Sequence, residues 1–380
     1  VQVSATSTAV PAPLRRTGIA PPTSVSSGPE LLLNASVALP RLLDAIRGAQ
    51  QVVNVSLYGW LDSGSGSKLA DAIVAKAREG VEVNIMMDGR GSMVYPFLGG
   101  GRLVAKLRDA GANVIVNNSQ IPFVGNPVDH GKSYSIDGKL GFLGGMNLSK
   151  TYDGWNDAMV TLGRNGAIAA GRDFLDRWVA RGGTVSAINQ RLIVDPVLAP
   201  DPNGTRIIAN HPGTAAPITD AYLGAIATAK DRIWIETPFL GSQQMVNALK
   251  AAAERGVDVR LVTNGLKTND AVPGANLLAA GFYAELMHSG VKVYQQAQMT
   301  HSKILLADQT ATVGSFNLTT RSESKHFELS MQSRAGSLVR SVSTMFDAHM
   351  GAAYLVTDAD LKKPGQRFLT LLRTALRIQY

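Results

Sequence analysis

The stretch LADAIVAKAREGVEVNIMMDG at residues 69–89 returns as MVNALKAAAERGVDVRLVTNG at 245–265. In each copy apolar residues at helical spacing run up to a glycine, Gly80 or Gly256, where a left-handed cap is expected to end a helix. A β-branched, apolar run follows, as a buried central strand requires. The match extends outward in both directions. Upstream lie a short apolar segment (Leu31–Asn34, Ile207–Asn210), a helical run (LLDAIRGAQ at 42–50, YLGAIATAK at 222–230) and a strand (VVNVSLYGW at 52–60, IWIETPFLG at 233–241). Downstream, KLRDAGANVIV at 106–116 and ELMHSGVKVYQ at 285–295 repeat the order helix, glycine, strand. Strands alternating with helices place each half in the α/β class. The same order twice in one chain describes a gene-duplicated pseudo-dimer.

Residues 1–28, rich in Ser, Thr, Pro and Ala, read as a flexible lead-in. The first domain is expected over 29–199 and the second over 200–380. A length of 380 residues exceeds what one hydrophobic core serves, in keeping with two domains. No apolar run approaches the ~18 residues of a membrane-spanning helix. The absence of cysteine excludes disulfides, thiolate metal sites and thiol nucleophiles. It also fits an oxidising compartment. The opening VQVSATSTAVPAP, starting at Val1, resembles the polar start of a processed protein, so a secreted or periplasmic location with its signal peptide removed is expected. A net charge of +8 favours phosphate-bearing partners without separating lipid from nucleic acid.

The chemistry sits at equivalent points of the two halves. His130-Gly131-Lys132 with Asp137, and His301-Ser302-Lys303 with Asp308, share the form H-x-K-x4-D. On a strand, alternate residues face the same way, so each His and Lys project together. The turns Gly144-Gly145-Met146-Asn147 and Gly314-Ser315-Phe316-Asn317 follow, and an acid stands 27 positions after each His, Asp157 and Glu328. These groups suit phosphoryl transfer without a metal. A neutral imidazole attacks phosphorus while an imidazolium protonates the leaving oxygen. Lys132, Lys303, Asn147 and Asn317 are candidates to hold the phosphate oxygens. A carboxylate on the far nitrogen of each imidazole fixes its tautomer, the role open to Asp157 and Glu328. Asp137, Asp308, Gly145 and Ser315 count as supporting positions of the motif. A lone strand histidine is usually a core residue, but two copies with matched surroundings are not explained that way.

The paired segments resemble the two HKD motifs of the phospholipase D superfamily, from about residue 30 onward. The resemblance implies two α/β domains with mixed sheets flanked by helices, their motif strands meeting at a pseudo-twofold axis. It implies a covalent phosphohistidine and neither metal nor cofactor, with His130 as nucleophile and His301 as acid, then base. It also implies that Asp157 orients His301 and Glu328 orients His130, across the interface. There are departures: six residues separate Asp137 from Gly144 but five separate Asp308 from Gly314, and Tyr152 falls where Arg321-Ser322 fits the second motif. Trp155-Asn156-Asp157 also lacks a residue type common in the family's lipid synthases.

Apolar residues of the expected loops, namely Tyr58, Trp60, 95–98, 121–124 and Pro238, Phe239 and Leu240, suit an acyl chain or a membrane surface, or else domain packing. The basic, amphipathic stretch 367–377 suits anionic lipid or a domain face. Nothing interleaves basic and aromatic residues as a base-stacking groove would, so no nucleic-acid partner is expected. The favoured reading is a monomeric phospholipase D acting at a membrane or micelle surface. It would cleave the distal phosphodiester of a lipid such as phosphatidylcholine, with water or a primary alcohol as acceptor, so that transphosphatidylation accompanies hydrolysis. A cardiolipin synthase is the alternative and a metal-independent nuclease the next. His211, His288, His326 and His349 show no metal-ligand spacing. His326, two residues before Glu328, either borders the site or lies on the surface.

Overall fold

The computed structural model describes residues 28–94, 101–117, 127–265, 268 and 275–376. The expected loop residues 95–98 and 121–124 lie outside them, as does residue 377.

The first half is a seven-stranded mixed sheet of β1 (Leu31–Leu33), β2 (Val52–Leu57), β3 (Glu82–Asp88), β4 (Asn113–Asn117), β5 (Ser133–Ile136), β6 (Leu140–Gly144) and β7 (Ala158–Leu162), in the order β1-β7-β6-β5-β2-β3-β4. Strands β2, β3 and β4 are parallel, and the remainder pair antiparallel. The second half has β8 (Arg206–Asn210), β9 (Arg232–Glu236), β10 (Asp258–Asn264), β11 (Lys292–Gln296), β12 (Ile304–Ala307), β13 (Thr310–Gly314), β14 (Glu328–Ser333) and β15 (Tyr354–Leu355). Its order, β15-β11-β10-β9-β12-β13-β14-β8, is that of the first sheet with one edge strand added. Two α/β halves with mixed sheets and flanking helices are thus present, as the repeat implies.

Central β2 is buried along its whole length, consistent with its apolar run, and is covered by the helices Asn34–Arg47 and Ser65–Arg78. Gly80 and Gly256 have φ of +88° and +90°, just past helices ending at Arg78 and Glu254. That left-handed geometry turns each chain directly into its parallel strand. Two helices begin earlier than the apolar spacing indicates. Asn34–Arg47 accommodates Pro40, and Pro217–Thr228 starts on a proline, whose fixed φ suits a first turn.

A third apolar cluster joins the halves. Leu143, Val160 and Leu162 on β6 and β7 meet Ile304, Val313 and Met331 on β12, β13 and β14. Trp60 and Leu240 are sealed in the cores and Phe239 is buried, so these three residues pack the domains instead of facing a ligand. The helix Pro364–Leu376 leaves Phe368 and Leu371 exposed, while Leu369 packs on the second core.

Candidate active site

Each motif enters the site bonded to the opposite half. Phe327 N donates to Val128 O and His130 N donates to Phe327 O, both at 2.9 Å. On the other side Asn156 N donates to Met299 O at 2.8 Å and His301 N to Asn156 O at 2.6 Å. These two short parallel bridges, Asp129 with Phe327 and Asn156 with Thr300, place both histidines on the seam between the halves. The regular strands begin only at Ser133 and Ile304, one residue beyond each motif lysine. Lys132 and Lys303 are fully buried, and each ammonium donates to the backbone carbonyl of its own motif histidine, Lys132 at 2.6 Å.

The carboxylates cross as the resemblance implies. His130 Nδ1 lies 3.0 and 3.1 Å from the two oxygens of Glu328, and His301 Nδ1 lies 2.7 Å from Asp157 Oδ2. With Nδ1 held by a carboxylate, Nε2 of each ring is left for chemistry. Burial drives both imidazoles well below the ordinary histidine range, while their carboxylate partners pull them upward. Each lysine also depresses the imidazole of the other half, so all four groups act on one another across the seam. Burial opposes ionisation of Asp157 and Glu328 too, yet the facing imidazoles hold both carboxyls below their usual values. Burial pushes the Lys132 ammonium down to about 8 against the pull of Glu328, and that of Lys303 to about 7 against Asp157.

The surroundings of the two carboxylates differ. Glu328 also accepts from the hydroxyls of Ser315 and Ser322, the latter at 2.7 Å. Asp157 has Ala158 N at 2.8 Å and, among the described residues, no such hydroxyl, because Gly145 stands where Ser315 does in the other half. A Cβ at Gly145 would come within 2.3 Å of Asp157 Oδ1. Beside His301 stands the indole of Trp155, ring centroids 5.2 Å apart, and beside His130 stand Tyr58 at 4.9 Å and His326 at 5.9 Å. His326 therefore borders the site. Asn147 Oδ1 accepts from Gly59 N at 3.1 Å, which leaves its amide hydrogens to donate. Asn317 is buried, with its Oδ1 lacking a protein partner among the described residues.

Asp137 and Asp308 lie elsewhere. The Asp137 carboxylate accepts from the amides of Gln50, Gln51 and Val52 at 2.8–2.9 Å, and Asp308 from those of Lys230, Asp231 and Arg232 at 2.9–3.0 Å. Both have positive φ, +51° and +49°, so the last letter of each motif clamps a tight turn to the start of the central strand. Spacing alone does not reveal the contributions of Tyr58, Ser322 and Trp155. The signal for Ser322 and Trp155 is nearness to Asn317 and Asp157, and Tyr58 falls among the apolar residues of the expected loops.

Comparisons with known proteins agree with this geometry. A family model described as "Cardiolipin synthase, PLD-like domain" matches twice, over residues 42–170 and 222–350. The cardiolipin synthase of Alkalihalophilus pseudofirmus is 28% identical over 324 residues, covering 81% of this chain and 63% of that protein. Cardiolipin synthase A of Pseudomonas aeruginosa is 29% identical over 359 residues, covering 89% of this chain and 70% of its own length. Among solved structures, a phosphatidylserine synthase of Haemophilus influenzae superposes with a TM-score of 0.69 at 14% identity, covering 92% of this chain and 93% of that one. That likeness shows the fold alone.

These relatives bear on two expectations. They are named cardiolipin synthases, which agrees better with the alternative reading than with the main one, lipid hydrolysis. They also overturn the secreted location, because synthases of a membrane lipid are not exported, processed phospholipases. This chain spans only 63% of the first of them, so a start at Val1 says nothing about a leader. Among the described residues no helix is long and apolar enough to cross a membrane. Two matches that together span most of the chain, on two sheets that share seven strands in the same order, establish that it belongs to the phospholipase D-like family, in the cardiolipin synthase group.

Proposed function

We propose that the chain is a phosphatidyltransferase of the cardiolipin synthase type, in which His130 forms a covalent intermediate and His301 moves the proton. Nε2 of His130 attacks the phosphorus of phosphatidylglycerol, and His301 protonates the departing glycerol oxygen. A terminal hydroxyl on a second phosphatidylglycerol then gives its proton to His301 and takes the phosphatidyl group. The products are cardiolipin and glycerol. Asp157 and Glu328 fix the imidazole tautomers and stabilise each imidazolium as it forms. Lys132, Lys303, Asn147 and Asn317 hold the non-bridging oxygens as charge builds on them.

The observation that carries this reading is the pair of crossed, buried His–carboxylate couples around two buried lysines. Burial favours the neutral form of both imidazoles in the free protein, as a nucleophile requires. The general acid gains its proton once an anionic phosphodiester enters, because the added negative charge raises the imidazole pKa. The tight enclosure of the four groups favours a bound alcohol over bulk water as acceptor. Water remains the competing acceptor, and phosphatidic acid is the side product. One chain supplies both couples, so a monomer contains a complete site. Nothing in the reaction calls for nucleic acid.

The test is incubation with phosphatidylglycerol vesicles and a chelator, beside His130→Ala and His301→Ala. Cardiolipin and glycerol in equal amounts from the unmutated protein alone are expected. Phosphatidic acid as the dominant product, with phosphatidylethanol from phosphatidylcholine and ethanol, would instead favour the phospholipase D reading.

A further inference from the structure

In both halves the residue immediately before the motif histidine is tied to the helix that crosses behind the sheet. The chemistry of the tie differs. In the first half the Asp129 carboxylate accepts from Arg177 Nη1 at 2.7 and 2.8 Å, and the same nitrogen donates to Ser56 Oγ at 3.1 Å. In the second half Thr300 Oγ1 donates to Glu236 Oε1 at 2.6 Å, and Glu236 Oε2 meets His349 Nδ1 at 2.6 Å.

The positions correspond. Arg177 and His349 each stand two residues before the end of their helices, Arg164–Val179 and Gly336–Gly351. Val53 pairs with Ile136 as Ile233 pairs with Ala307, which makes Ser56 the counterpart of Glu236. Three equivalent positions therefore carry a cationic or cation-forming group, a carboxylate and a hydroxyl in both halves, with the last two exchanged. Packing alone would not ask for a carboxylate here. Glu236 is fully enclosed, and its charge is costly there unless it is held and put to use.

We infer that Glu236, gripped by His349 and in turn gripping the Thr300 hydroxyl, is a positioning residue for His301. Thr300 is fully buried, and its backbone is already anchored, with its N–H donating to Asn264 Oδ1 at 2.7 Å and its carbonyl accepting from Asn264 Nδ2 at 3.0 Å. The side-chain tie removes the remaining freedom at the residue that leads into His301. Gln296 Nε2, donating to His349 O at 2.8 Å, steadies the far end of the relay. None of these groups touches the reacting atoms. They act by keeping the His301 ring aligned with Asp157 and with the leaving oxygen, where misplacement by about 1 Å costs about a hundredfold in rate.

This inference rests on the acid–base role given to His301 above, and the experiment separates the two. Thr300→Ser, Thr300→Val, Glu236→Gln and His349→Gln are assayed for kcat and KM on phosphatidylglycerol vesicles and on a small chromogenic phosphodiester. In parallel, 15N NMR follows the His301 imidazole, assigned by His301→Gln. Thr300→Ser is expected to stay within about twofold of the unmutated rate, because it keeps the hydroxyl. Thr300→Val, nearly isosteric, is expected to lower kcat about tenfold or more with KM little changed, and to shift the His301 nitrogens. Glu236→Gln and His349→Gln should do likewise. A Thr300→Val protein with normal kcat and unmoved His301 resonances would overturn the relay. If the unmutated protein turns over neither substrate, the acid–base reading fails, and the resonances alone decide whether Glu236 positions His301.

Discussion

Substituting Gly145 by alanine tests how tightly the site depends on Asp157. The added Cβ would stand 2.3 Å from Asp157 Oδ1 and 3.0 Å from His301 O. A relaxed carbon–oxygen contact is about 3.3 Å, so the Asp157 carboxylate must withdraw by about 1 Å. The His301 carbonyl, held by the Lys303 ammonium, needs to give only about 0.3 Å. The carboxylate's 2.7 Å bond to His301 Nδ1 then stretches past the limit of a hydrogen bond. Loss of that orientation is expected to cost about a hundredfold in kcat, or ~2.7 kcal/mol of barrier, with KM nearly unchanged. Initial rates on phosphatidylglycerol vesicles measure it, with circular dichroism to check that the fold survives. In an Asp157→Ala background the added methyl has no carboxylate to displace and only the milder contact with His301 O remains, so its further cost should fall below about threefold. A folded Gly145→Ala protein with kcat within about threefold of the original would refute the reasoning.

The serines around Glu328 should act more gently: Ser322→Ala removes one donor to a carboxylate that keeps His130 and Ser315, and about a tenfold loss of kcat is expected. The pH profile of kcat/KM should fall as pH rises through about 7 to 8, where the buried Lys303 and Lys132 lose their charge in the free enzyme. The kcat profile should bend at higher pH, since a bound phosphate anion raises both lysines. An alkaline limb identical in both profiles would contradict this. Asp137→Ala strands three backbone amides outside the site. It should destabilise by about 3 kcal/mol and lower the melting temperature by about 5 °C, with kcat nearly intact.

The duplicated framework is readable in the chain because it is local. Helical spacing, Gly80, Gly256 and the runs that become β3 and β10 each act within about twenty residues. The motif histidines and lysines are equally plain, since one half mirrors the other. What escapes is contact across the halves. His130 meets Glu328 198 residues away, and no periodicity encodes such a distance, so the crossing came only with the family resemblance. Asp137 and Asp308 share a motif with the catalytic groups yet serve as turn clamps, a difference that only a positive φ and three amides reveal. Trp60 and Leu240 show the limit of reading apolar residues near a site as ligand contacts: the same side chains also fill cores. The secreted location fails for a simpler reason, because a polar opening stretch and a lack of cysteine do not encode an address.

The two backbone bridges across the seam bear on how the protein comes into being. As the chain is synthesised, the first half emerges with Asp157 and His130 still lacking their partners, which lie in sequence not yet made. Closing contacts 144 and 198 residues apart comes late, after local structure has formed. Until then the lone imidazole has no carboxylate and water reaches the groups that end up buried. Docking of the halves is thus the step that assembles the two His–carboxylate couples, and a nascent or truncated chain holds neither of them.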